Sequence, residues 1–140
     1  STASDTEVLL NALIHWGSEC LTKIIGMFAF AFHDITKNTL FIARDAFGIK
    51  PLFYSFGENH FTFSSEIPPL LKLSGMKVKP NLQRAYDYLV HGEYDSNSET
   101  FIENIFHLPP AHQLTIDLNT RKFSQPKLWW FPYVNEKKLT

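Results

Sequence analysis

Few side chains in this sequence are spaced as catalysis would need them. The six histidines are His15, His33, His60, His91, His107 and His112, and none shows the close pairing of a zinc site. Surface or capping roles account for them. The single cysteine, Cys20, has no second cysteine and no adjacent histidine, which reads as a buried structural thiol. No glycine-rich phosphate loop is present. Four groupings remain: Asp5 in Ser4-Asp5-Thr6-Glu7, the pair Arg44-Asp45, Lys50-Pro51 and Ser65-Glu66. Asp5 can pair with a cation or complement a helix dipole, worth about 0.3–1 kcal/mol, and on the residues alone the dipole role is favoured. Arg44 and Asp45 read as structural, with Arg44 bridging loop carbonyls or a carboxylate. Gly48 suits a positive φ or a close approach of backbone. Lys50 could face an anion, but Lys50-Pro51 reads more simply as loop scaffolding. Ser65-Glu66 most simply starts a helix.

Composition bounds the partners. The 140 residues fit one domain; 44% are hydrophobic and 19% charged, with 13 Phe, 5 Tyr and 3 Trp to fill a sheet-rich core. A net charge of −1 argues against a general nucleic-acid binder and against attraction to an anionic membrane. The longest apolar stretches, such as Gly26 to Phe32, are too short to span a bilayer, and no signal-peptide pattern is visible. One cysteine allows no intrachain disulfide, consistent with a cytoplasmic location.

The elements that would position these residues follow from periodicity. Ser4 with Glu7 forms a capping box, which predicts a helix over Asp5–Trp16 stopped by Gly17, with Leu9, Leu10, Leu13, Ile14 and Trp16 at helical spacing. Leu21 to Ile25 suggests another helical turn. Gly26 to Phe32 has period two, with Phe28, Phe30 and Phe32 on one face and Met27, Ala29 and Ala31 on the other. Both faces are apolar, so the strand should be covered on both sides, one by a helix and one by a second sheet. Leu40 to Ala43 should complete a hairpin across Thr36-Lys37-Asn38, and Leu52–Phe56 with Phe61–Phe63 a second across Gly57-Glu58-Asn59. Ser65 is expected to cap a helix over Glu66–Leu73 that ends at Gly75. Another should start at Pro80-Asn81 with Leu82, Ala85, Tyr86, Leu89 and Val90 on one side. Glu93 to Thr100 reads as loop, His112 to Ile116 as a strand, and Lys122-Phe123 as its return, with Trp129 and Trp130 in an extended tail. The order predicts an α+β layered domain with mainly antiparallel sheets.

Four strings occur in order: Ser4-Asp5-Thr6-Glu7-Val8-Leu9-Leu10, Gly26-Met27-Phe28-Ala29-Phe30, Arg44-Asp45 with Phe47-Gly48-Ile49-Lys50-Pro51-Leu52-Phe53-Tyr54, and Phe63-Ser64-Ser65-Glu66. Together they resemble the class II glutamine amidotransferase domain of asparagine synthetases. Lys79-Pro80-Asn81, Tyr86-Asp87-Tyr88-Leu89, Glu99-Thr100-Phe101, Ile105 and Leu108-Pro109-Pro110-Ala111-His112 extend the resemblance nearly to Trp130. Ser64 stands where the family more often has Ala, and Ala111 where Gly is common.

The resemblance implies a partial N-terminal-nucleophile αββα sandwich over residues 1–130, followed by a polar linker over 131–140 toward a synthetase domain. It implies a parent that hydrolyses glutamine at an N-terminal cysteine thiolate, with its own α-amine as base and an oxyanion hole. The ammonia would reach a domain where ATP and magnesium activate aspartate. Of the glutamine-binding residues, only Asp5 carries over, matching the aspartate that holds the substrate α-ammonium. Arg44, Asp45, Gly48, Lys50, Pro51, Ser65 and Glu66 match structural motif positions. The nucleophile, the arginine for the glutamine carboxylate and the Asn-Gly oxyanion hole belong upstream of this segment, so the chain from Ser1 is expected to start in mid-domain. By itself it should be inactive, bind no cofactor or metal, and tend to homodimerise through edges left without their first strands. The competing readings are a non-catalytic scaffold of the same fold, and an amidotransferase of the same superfamily with a different acceptor.

Overall fold

The computed structural model describes residues 4–57, 60–94 and 96–133. Helix α1 spans Asp5–Trp16, as the capping box predicts: the Ser4 hydroxyl accepts from the Glu7 N–H at 3.3 Å, and Gly17 closes the helix at φ 57°. A 3₁₀ segment, Gly17–Lys23, follows and buries Cys20 and Leu21; it stands in place of the helical turn expected over Leu21 to Ile25.

One sheet contains β1 (Ala29–Asp34), β2 (Thr39–Arg44), β6 (His112–Asp117), β7 (Lys122–Phe123) and β8 (Lys127–Leu128). Its order is β1-β2-β6, with β7 and β8 pairing with different ends of β6. The second sheet has the order β4-β3-β5, with β3 at Phe53–Phe56, β4 at Phe61–Ser64 and β5 at Phe106–His107. All pairings are antiparallel. The β1–β2 register sets Phe30 opposite Ala43 and Phe32 opposite Phe41, so large residues of both strands share one face.

Helix α1 covers that face. Ala12, Leu13 and Cys20 pack with Phe30, Phe32 and Phe41. On the opposite face Ile42, Leu114 and Ile116 meet Leu52, Tyr54 and Leu108 of the second sheet's side, with Ala29 and Leu40 alongside. The expectation of a helix on one face and a sheet on the other therefore holds, with the large face under the helix. Coverage is incomplete, because Ala31 is exposed. The strand also begins at Ala29 rather than Gly26, because Phe28 uses its carbonyl to accept the Asp45 N–H at 2.8 Å. Helix α2 (Ile67–Ser74) packs outside β3 and β4 through the buried Leu70.

The start of α2 differs from expectation. Glu66, not Ser65, occupies the cap position and makes no side-chain capping bond. The Ser64 hydroxyl instead accepts the Glu66 N–H at 3.3 Å, since β4 delivers Ser64 to that point. Gly75 ends the helix in the left-handed conformation, as expected. Helix α3 (Leu82–His91) has its predicted cap, with the Asn81 side chain accepting from the Arg84 N–H. Its predicted apolar side does not pack inward: Leu82, Tyr86, Leu89 and Val90 are all exposed, and Arg84 is the residue α3 buries. The hairpin turn at Glu58-Asn59 and most of the predicted 131–140 linker lie outside the described residues. No helix is long and apolar enough to cross a membrane among the described residues.

Leu114 is 1% exposed between the sheets and Leu89 is 79% exposed on α3. Leu114→Ala should cost about 2–5 kcal/mol, whereas Leu89→Ala should stay within about 0.5 kcal/mol of the parent. Urea-unfolding midpoints at constant slope will separate the two.

Candidate functional site

The Arg44–Pro51 loop is built by two adjacent side chains. Arg44 ends β2, and its guanidinium donates to three carbonyls: Lys50 through Nε at 2.7 Å, Leu108 at 2.7 Å and Gly48 at 2.6 Å. Asp45 turns the other way. Its carboxylate accepts the N–H groups of Phe47, Ile49 and Lys50 at 3.0–3.1 Å. The two charges form no ion pair with each other among the described residues. Arg44 therefore bridges carbonyls, the first of the two roles the sequence left open. Lys50 and Pro51 are exposed at the end of the loop, and Lys50 contributes through its backbone.

Gly48 meets both requirements proposed for it. Its φ is 64°, and a Cβ there would lie 2.8 Å from Cγ of Pro110 and 3.1 Å from Cζ of Arg44. Ala111, at a position where the resemblance favours glycine, also has a left-handed φ of 57°. Its N–H donates to the Asp45 carbonyl and its carbonyl accepts from Trp129, which fixes that conformation. The Trp129 indole Nε1 donates to the Arg44 carbonyl at 3.1 Å. Leu108, Ala111 and Trp129 are thus parts of the same assembly. Sequence reasoning missed them, because the Arg44–Leu108 and Arg44–Trp129 contacts span 64 and 85 residues and leave no local signal.

Asp45 is 1% exposed. Burial by itself pushes its carboxyl up; the backbone donors Lys50, Ile49 and Phe47 outweigh this and hold it below the ordinary carboxylate range. Cys20 is fully buried, and burial pushes its thiol up, away from the reactive thiolate. No cluster of three or more His, Cys, Asp or Glu suited to a metal exists among the described residues.

Asp5 lies in the exposed first turn of α1. No hydrogen bond or ion pair among the described residues links it to the Arg44–Pro51 loop or to Ser65 and Glu66, which sit exposed before α2. A cleft of about 390 Å³ opens beside the loop, lined by Arg44, Phe47, Gly48, Arg84, Glu99 and His107 among others. Asp5 does not line it.

Comparison with known proteins gives these positions a context. Residues 1–130 match the family of the glutamine amidotransferase domain. The chain is 37% identical over 112 residues to asparagine synthetase (glutamine-hydrolyzing) 3 of Bacillus subtilis, covering 80% of this chain and 18% of the relative. It is 36% identical over 132 residues to asparagine synthetase (glutamine-hydrolyzing) 2 of the same organism, covering 91% and 18%. It is 30% identical over 143 residues to the putative asparagine synthetase (glutamine-hydrolyzing) 2 of Methanocaldococcus jannaschii, covering 99% and 28%. The chain therefore spans less than a third of the length of the curated relatives it matches.

Removing the Asp45 carboxylate leaves three inward N–H groups without an acceptor. Asp45→Ala should cost about 2–4 kcal/mol, measured by chemical denaturation. Because the folded carboxyl is held below its unfolded value near 3.9, its contribution is fully present above that value and is lost as pH falls through the lower folded one. The variant should therefore lose less stability than the parent on acidification below about pH 4.

Proposed function

The chain belongs to the glutamine amidotransferase domain family, and from that premise we propose that it is part of the glutaminase half of a glutamine-dependent asparagine synthetase. The observation carrying this reading is the combination of a family match over residues 1–130 with three glutamine-hydrolysing asparagine synthetases at 30–37% identity. The layered arrangement supports it: α1 over the five-stranded sheet, the second sheet beneath, and α2 outside. This order of layers is that of the N-terminal-nucleophile sandwich, αββα.

In this reading Asp5 holds the α-ammonium of glutamine. The group is exposed, anionic and unshared, so it is free to pair with a cation. The reaction itself is acyl transfer. A thiolate attacks the side-chain amide carbon, ammonia leaves, and water releases glutamate from the thioester. Cys20 does not supply that thiolate: it is buried and sits inside a 3₁₀ segment with no free amine as its base. The Arg44–Asp45 assembly acts at a distance, as the rigid support of the loop and of the strands entering it. Ammonia then passes to an acceptor domain of the same polypeptide, where ATP and magnesium activate aspartate in a cytoplasmic enzyme.

The test is a steady-state glutaminase assay on the full-length gene product carrying Asp5→Asn. Loss of one charge-assisted bond of about 1.5–3 kcal/mol should lower kcat/KM for glutamine roughly 10- to 100-fold. Hydroxylamine or free ammonia supplied directly to the synthetase reaction should be used as before. An unchanged kcat/KM for glutamine removes Asp5 from the site; a full-length protein without glutaminase activity removes the reading.

A further inference from the structure

Helix α3 is built inside out. Leu82, Tyr86, Leu89 and Val90 recur at helical spacing on one face and are 74%, 54%, 79% and 55% exposed. On the other side Arg84 is buried, donating to Ser96 at 2.9 Å and to the Tyr94 carbonyl at 2.7 Å and contacting Asp87 at 3.4 Å. Among the described residues α3 packs against no other helix or strand of the domain. It is held by the following loop, through Arg84, the Asn81 N–H to the Phe101 carbonyl at 2.8 Å, and the ring cluster Tyr88, Tyr94 and Phe101.

A helix of 10 residues is marginal unless an amphipathic face is packed. Here the face able to supply that packing points to solvent. We infer that the outward face of α3 is a docking surface for an apolar patch on a second domain of the same polypeptide. The inference rests on the proposed synthetase reading only for the existence of that domain. Two observations favour this occupant over a second copy of the chain. The relatives carry more than two thirds of their length beyond the matched region, so a tethered partner is at hand. The stripe is also four side chains wide, far short of the roughly 800 Å² per partner of a stable free-standing interface. A tether raises the local concentration to about the millimolar range, where a small apolar contact suffices.

The test compares amide hydrogen exchange of α3 in the 140-residue chain and in the full-length gene product, with and without Leu89→Glu. In the full-length protein the α3 amides should exchange at least about tenfold more slowly than in the chain. Leu89→Glu should abolish that difference while leaving glutamine hydrolysis within about twofold, because Leu89 takes no part in binding glutamine. Equal exchange in both proteins overturns the inference. So does protection that appears in the chain alone and grows with concentration, which would assign the face to a second copy. So does a gene product with no further domain. A full-length protein that protects α3 yet fails to hydrolyse glutamine supports the docking surface and sinks the functional reading, which keeps the two separable.

Discussion

The fold depends on how one loop satisfies its own backbone. Between β2 and β3 the chain leaves the sheet and turns inward, where unpaired N–H and C=O groups are costly. Arg44 and Asp45 divide the problem by chemical type. The guanidinium, a fork of donors with no acceptor, takes three carbonyls. The carboxylate, acceptor only, takes three N–H groups. Neither lysine nor a neutral amide offers the same geometry, which explains why the charges are adjacent without pairing to each other.

The same knot fixes distant parts of the chain. The Leu108 carbonyl is held by Arg44 and the Leu108 N–H donates to the Leu52 carbonyl, so the segment entering β6 is registered on both sheets at once. Ala111 and Trp129 close the knot from the far end, and β8 pairs with β6 beside it. Phe28 stacks on Trp129 and Phe47 on Trp130. The tail that reads as merely extended in the sequence is thus part of the sheet's edge and of the loop's cover.

What the sequence made legible follows from locality. The boundaries of α1 are encoded within the helix and its flanks, by Ser4, Glu7 and Gly17, and the structure reproduces them. The alternation at Phe28 to Phe32 revealed a two-faced strand, because period two is written in consecutive residues. The failures are nonlocal. Nothing near Ser65 reveals that Ser64 will be delivered by β4 to serve the start of α2. The two-residue strands β5 and β8 are defined by their partners and have no pattern of their own. The stripe on α3 was visible, but hydrophobic periodicity says which residues share a face and not which way that face points. The buried Arg84 decides the direction, and its partners in the 93–96 loop are set by tertiary structure.

The electrostatics at the start of α1 bear on the role of Asp5. A helix N-terminus carries roughly half a positive charge, which by itself repels an ammonium group. The first turn holds two carboxylates, Asp5 and Glu7, against that half charge. Glu7 is engaged within the domain and half-buried, whereas Asp5 is exposed. A carboxylate needed only for the dipole is already present in Glu7, so Asp5 is the surplus charge. The net negative end that results attracts a cation, and the capping box keeps the helix formed while Asp5 gives its charge to a ligand. Sequence pattern alone favours the dipole role for Asp5; with Glu7 placed beside it, the balance of charge favours the ligand role.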